Sequence, residues 1–202
     1  MELREALGQI AEIRRQMSRT GVFRGYRSAP VAFSGALAWG AAIVQASWIP
    51  DPTRDIPAYL ALWIGAAVIG MAAAGVEMVV RASRAPIWSR ELTRQAAEQF
   101  LPCIAAGGLL TLVIAARCPE ALGMLPGLWS ILFSLGVFAS CRLLPRATYG
   151  VAAYYLAAGL ICLALSRPAS GPSPWAMGLT FGVGQWLSAV VLYRTLECDH
   201  GR

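Results

Sequence analysis

Apolar residues in this chain do not alternate with polar ones. They gather into six runs, each close to the roughly 20 residues a helix needs to cross a bilayer hydrocarbon core. The runs cover residues 30–49, 57–80, 100–116, 126–144, 148–166 and 174–193. The third is the shortest, and the fourth has a second plausible start near Leu122. In lipid every backbone N–H and C=O must find its partner within the segment, so runs of this length and polarity predict helices. The predicted fold class is therefore an all-α membrane protein, a six-helix transmembrane bundle.

Outside the runs the pattern changes. Leu3, Leu7, Ile10, Ile13 and Met17 recur at helical spacing, opposite Glu5, Glu12, Arg15 and Arg19. Residues 1–29 are thus read as a short amphipathic helix and linker, cytoplasmic or interfacial. A helix of that length is marginal alone, so its apolar stripe needs a support. The inner leaflet surface is the preferred support, and a second helix, from a partner or another copy, is the alternative. No cleaved signal peptide is expected, because the residues before the first run are charged. In the second loop Pro86 suits a first helical turn, and no breaker follows before Phe100, so the third membrane helix should reach back to Pro86. Residues 30–193 form the membrane domain, and 194–202 form a short tail.

Composition agrees with that class. The chain has 202 residues, 57% hydrophobic and 14% charged, too apolar for an ordinary soluble domain. The loops are too short to hold a soluble catalytic domain. Charge then orients the bundle. Arg4, Arg14, Arg15, Arg19, Arg24 and Arg27 precede the first run; Arg81, Arg84, Arg90 and Arg94 lie in the second loop. Arg142 and Arg146 lie in the fourth loop, and Arg194 and Arg202 in the tail. The other face holds only Arg54, Arg117 and Arg167, offset by Asp51, Asp55 and Glu120. By the positive-inside rule both termini are expected in the cytoplasm, with the formal charge of +6 on that side. Such a collar faces anionic inner-leaflet lipid, with Arg14, Arg15, Arg19, Arg90 and Arg94 as its candidate lipid or partner contacts.

Trp48, Tyr59, Trp175 and Trp129 fall at the expected outer interface, and Tyr26, Trp88, Tyr149 and Tyr193 at the inner one. Trp39, Trp63 and Trp186 fall deeper and are read as packing residues. Small residues recur four apart at Ala32/Ala36/Gly40, Ala66/Gly70/Ala74, Ser130/Ser134 and Gly178/Gly182. Lipid supplies no hydrophobic drive between helices, so such stripes point to close backbone packing. Pro57, Pro126 and Pro174 each open an even-numbered run, a weak sign of a repeated hairpin.

Candidate chemistry is sparse. There is no lysine, which excludes a Schiff base or a phosphate-loop lysine. The one histidine is His200, so no metal cluster or serine–histidine pair can be assembled in the membrane, and Ser34 has no base to activate it. No cofactor, metal or nucleic acid is expected. Of the five cysteines, Cys118 and Cys162 both approach the outer face, where a bridge is conceivable. Polar groups inside the runs cost several kcal/mol unless paired. Glu77, with Arg81 four residues on, is the one acid well inside a run; Gln45 and Gln185 lie deeper. These three form the candidate intramembrane polar site, with Tyr154, Tyr155 and Thr180 as further contributors.

The run Ile13-Arg14-Arg15-Gln16-Met17-Ser18-Arg19-Thr20-Gly21-Val22-Phe23-Arg24, followed by Pro30 and Ser34-Gly35, resembles the opening of a group of bacterial six-helix integral membrane proteins. The resemblance covers about the first forty residues and the hydropathy plan. It implies six-span topology and a bacterial inner membrane, and no catalytic residues. The expected function is a non-enzymatic membrane subunit or signalling module working through its basic inner face, with a protein partner or a second copy of the chain. The competing expectation is a small transporter or channel, of the substrate-binding-subunit type, with a polar site between helices.

Overall fold

The fold is a computed structural model describing residues 27–84, 87–141, 144, 146–166 and 171–197. It is all-helical, with no strand among the described residues. The amphipathic segment expected within residues 1–29 lies outside the described residues up to position 26, and with it Arg14, Arg15 and Arg19.

Six helices follow one another up and down. Helix α1 is Ser28–Trp48, α2 Ile56–Arg84 and α3 Ile87–Arg117. A 3₁₀ turn, Pro119–Met124, leads into α4, Leu125–Ser140, and α5 is Thr148–Leu165. The last rod, α6, is continuous but not uniform: α-helical Pro174–Met177, π-helical Gly178–Val183, α-helical Gly184–Leu192 and π-helical Tyr193–Glu197. All six are long and apolar enough to cross a membrane, over Ser28–Trp48, Ile56–Val80, Glu98–Arg117, Pro119–Ser140, Thr148–Leu165 and Pro174–Thr195. Residues 49–55, 118, 166 and 171–173 lie at one end of the bundle, called distal here; residues 27, 84, 87, 141, 144, 146 and 147 lie at the other, proximal end.

Local chemistry explains several boundaries. Asp55 caps α2 by accepting the Ala58 amide at 3.1 Å, just before Pro57 enters the first turn. Pro119 opens the 3₁₀ turn and carries the fourth span back from position 126 to Pro119, with Leu122 and Leu125 fully buried. Helix α3 begins at Ile87, directly after Pro86, and runs on through an internal proline, Pro102.

The helices pack in chain order around a ring, and α6 closes it on α1. A close, extensive interface joins α4 and α5. There Ser130 Oγ donates to the Tyr155 carbonyl at 2.7 Å and Ser134 Oγ to the Ala152 carbonyl at 2.8 Å. Further along, Gly127 and Gly159 face each other so closely that a methyl on either would sit 2.8–2.9 Å from the other's carbonyl oxygen. Small residues let the backbones approach, and the two serines then reach across.

The small-residue stripes divide. Gly178 rests on Ala42, Gly182 on Trp39 and Gly70 on Ser34. The stripe expected at Ala32/Ala36/Gly40 meets a neighbour only at its first member: Ala32 packs on the Val31, Ala189 and Leu192 cluster, whereas Ala36 and Gly40 are exposed and nothing lies within 4 Å of a methyl built on Gly40. The buried face of α1 is instead Val31, Gly35, Ala38, Ala42 and Gln45. Tyr59, expected at the outer interface, lies in the first turn of α2 at the distal end, and its side chain is fully buried with Trp63, Leu122 and Leu125. Tyr59 lies one turn inside α2 on the face that carries Trp63, so ring closure takes it inward.

Candidate functional site

The three intramembrane polar residues sit at three different levels. Gln45 lies near the distal end of α1, and its side chain is completely buried. Its Oε1 accepts the Trp63 indole N–H at 2.7 Å, and its Nε2 donates to the Pro172 carbonyl at 2.8 Å. One amide thereby ties α1 to α2 and to the loop before α6. Gln185 is half-buried at mid-height on α6, its Cβ beside Gly35 of α1. Glu77 is half-buried and lies roughly 30 Å along α2 from the start of that helix at the ordinary helical rise. Gln45 is thus brought together with Trp63 and Pro172 rather than with Glu77.

The secondary candidates serve the α5–α6 interface. Tyr154 OH donates to the Leu179 carbonyl at 3.1 Å, and Cys162 Sγ lies 3.5 Å from Thr180 Oγ1. Both partners, Leu179 and Thr180, belong to the π-helical stretch Gly178–Val183, where i→i+5 winding shifts the backbone register. Tyr155 is fully buried between Phe133, Phe181 and Tyr154, its ring against Gly184. Its hydroxyl, the Tyr59 hydroxyl and the Trp39 indole N–H have no hydrogen-bond partner among the described residues. Aromatic contacts with ring centroids 4.7–5.8 Å apart fill the space among Phe100, Phe133, Tyr155 and Phe181.

Cys162 faces α6 and Cys118 is exposed, and both are free, so the bridge considered between them is not formed. No group of three His, Cys, Asp or Glu side chains suited to a metal occurs among the described residues.

At the proximal end, Arg94 pairs with Glu98 at 3.4 Å on an exposed face of α3. Arg90 lies on the same helix, but its side chain is outside the described residues. Helices α2 and α3 both run past their apolar spans, by Arg81–Arg84 on one side and Ile87–Ala97 on the other. Sequence reasoning missed two features: the Gln45–Trp63–Pro172 lock and Pro102. The proline was visible inside the third run. The lock was not, because its members are far apart in the chain.

No family model, no curated protein and no solved structure matches this chain.

Proposed function

We propose that this chain is a non-enzymatic, multi-pass protein of a bacterial inner membrane, with both termini cytoplasmic, acting as a membrane subunit or signalling module through a basic cytoplasmic face. The observation that carries the reading is the extension of α2 and α3 beyond their apolar spans. That extension holds Arg81, Arg84, Arg90 and Arg94 on helices at the end where arginines predominate. The faces of α2 and α3 turned away from the bundle present Val68, Val76, Leu109 and Leu112, all more than half exposed, as a bilayer-spanning surface does. The fully buried side chains of Gln45, Ser130 and Ser134 are occupied by bonds to neighbouring segments, which favours a structural role for them over a transport path. Anionic headgroups at the inner leaflet are the chemistry this surface fits.

The test is lipid retention by the purified protein from mixed phosphatidylglycerol and phosphatidylcholine. Wild type is expected to retain phosphatidylglycerol preferentially, and the Arg90→Gln/Arg94→Gln variant to lose most of that preference. Equal retention of both lipids by wild type would count against the reading. The alternative of a small transporter or channel through Glu77, Gln45 and Gln185 requires those residues to converge, and they are spread along the bundle. Flux into proteoliposomes that Glu77→Gln abolishes would reinstate it.

A further inference from the structure

The inward faces of the ring change character part-way along the bundle. On α2 that face carries Tyr59, Trp63 and Gly70, all buried, and then Ala73 and Glu77, three and seven residues after Gly70 and both half-buried. On α3 it carries Ile114 and Leu110 in the distal core. Cys103 lies seven residues before Leu110 and Gln99 four before Cys103, and both are half-buried. On α6, Gln185 and Ser188 stand seven and four residues before Leu192, which is buried against Val31 of α1; both are again half-buried. Spacings of three, four and seven keep each series on one helix face.

An inward residue stays half-exposed only where its neighbours leave room beside it. Distally they leave none: Tyr59, Trp63, Ile114 and Met177 are 0–8% exposed and share one apolar cluster that joins α1, α2, α3, α4 and α6. The Gln45 lock lies at that same end. Gly70 and Cys103 each lie fourteen residues from the distal end of their helices, about 21 Å at the ordinary rise, so the change falls inside a hydrocarbon core about 30 Å thick. From there towards the proximal end the inward groups include two carboxamides, a hydroxyl and a thiol. Polar groups at that depth are costly in lipid and mark a ligand or solvent path.

We infer that the proximal half of the ring encloses a polar vestibule, floored by the distal core, that takes a small uncharged solute of the polyol or amide class. Gln99, Cys103, Gln185 and Ser188 are neutral and offer both donors and acceptors, which suits a solute with hydroxyl or carboxamide groups and no charge of its own. Glu77 stands at the rim and already has an interaction within the protein, so the site rests on the four neutral groups. The sealed floor makes the vestibule a binding site entered from the proximal end. It goes beyond the basic-surface reading and does not depend on it.

The test reads thiol reactivity of the full chain in lipid nanodiscs, where both faces meet buffer, in variants that keep a single cysteine. The reagent is 2-hydroxyethyl methanethiosulfonate, which is neutral, water-soluble and selective for thiolates, and thiolates form in water rather than in lipid or a packed core. Native Cys103 and Gln185→Cys are each expected to react at least about tenfold faster than Leu109→Cys on the lipid-facing surface and Met177→Cys in the distal core. Rates at Cys103 and Gln185→Cys no faster than these controls overturn the proposal, and Cys103, a native residue, reports without a substitution in the vestibule. Glycerol is the solute probe. It should slow the modification of Cys103 at least about threefold, sucrose at matched viscosity should not, and neither should slow the exposed Cys118. Equal slowing by both solutes, or by neither, overturns the solute site. Gln185→Leu, with Cys103 as reporter, should abolish the glycerol effect, and an undiminished effect overturns the site in this form. Lipid retention tests the basic-surface reading separately, so either can fail alone.

Discussion

At Gln45 both ends of one side-chain amide are occupied, by Trp63 and by the Pro172 carbonyl. A leucine there keeps the volume but strands a buried indole N–H and a buried carbonyl. Gln45→Leu is expected to destabilise the bundle by about 1–2 kcal/mol, near the upper end for hydrogen bonds inside membrane proteins. Unfolding in mixed detergent micelles measures it, and a loss below the error of that assay would show the lock to be incidental. At the distal loop Asp51 accepts from the Thr53 hydroxyl at 2.5 Å and its amide at 3.2 Å, and pairs with Arg54 at 2.9 Å. The Thr53 hydroxyl, with Arg54 as a smaller contributor, holds the Asp51 carboxyl below its ordinary 3.8. Because this pKa is depressed on folding, the loop order it supports is present above 3.8 and lost as pH falls through the lower folded value. The Thr53 amide resonance should titrate below 3.8, and in Asp51→Asn it should not. Residue type alone revealed that Gln45 was awkward in a membrane helix; its two partners, from another helix and a remote loop, were beyond any local pattern.

Among the elements, α4 and α5 pack backbone to backbone. The requirement is steric, since at Gly127 and Gly159 a side chain would meet the opposing carbonyl. Gly159→Val is expected to cost about 1–3 kcal/mol as overpacking. The same unfolding assay reads it, and wild-type stability would mean the pair separates freely. The Ser130/Ser134 spacing was legible as a helix face, and those serines do bond across to α5. The Ala32/Ala36/Gly40 stripe had the same spacing, yet Ala36 and Gly40 face outward. Spacing identifies a face but not which face meets a neighbour, because α1 is apolar on every side and offers no polar strip to orient it. The π-helical stretches of α6 had no signal at all, beyond the glycines at 178, 182 and 184.

For the molecule as a whole, orientation is the claim most open to direct test. Cys118 is exposed at the distal end, whereas Cys141 is buried and Cys162 half-buried against α6. With the termini cytoplasmic, a membrane-impermeant maleimide applied to spheroplasts should modify Cys118, and Cys118→Ser should lose that labelling. Labelling of intact spheroplasts that persists undiminished in Cys118→Ser, from Cys198 in the tail, would invert the topology. The amino-acid sequence by itself determined that six helices form and roughly where they run, because span length and backbone satisfaction in lipid are properties of each segment alone. It also determined the charge asymmetry, which is a count along the chain. Only the tertiary structure decided which face of each helix is buried, how Gln45 is satisfied, and that α6 closes the ring on α1. Those depend on side chains far apart in sequence meeting at one height, and in helices this uniformly apolar nothing local records that meeting.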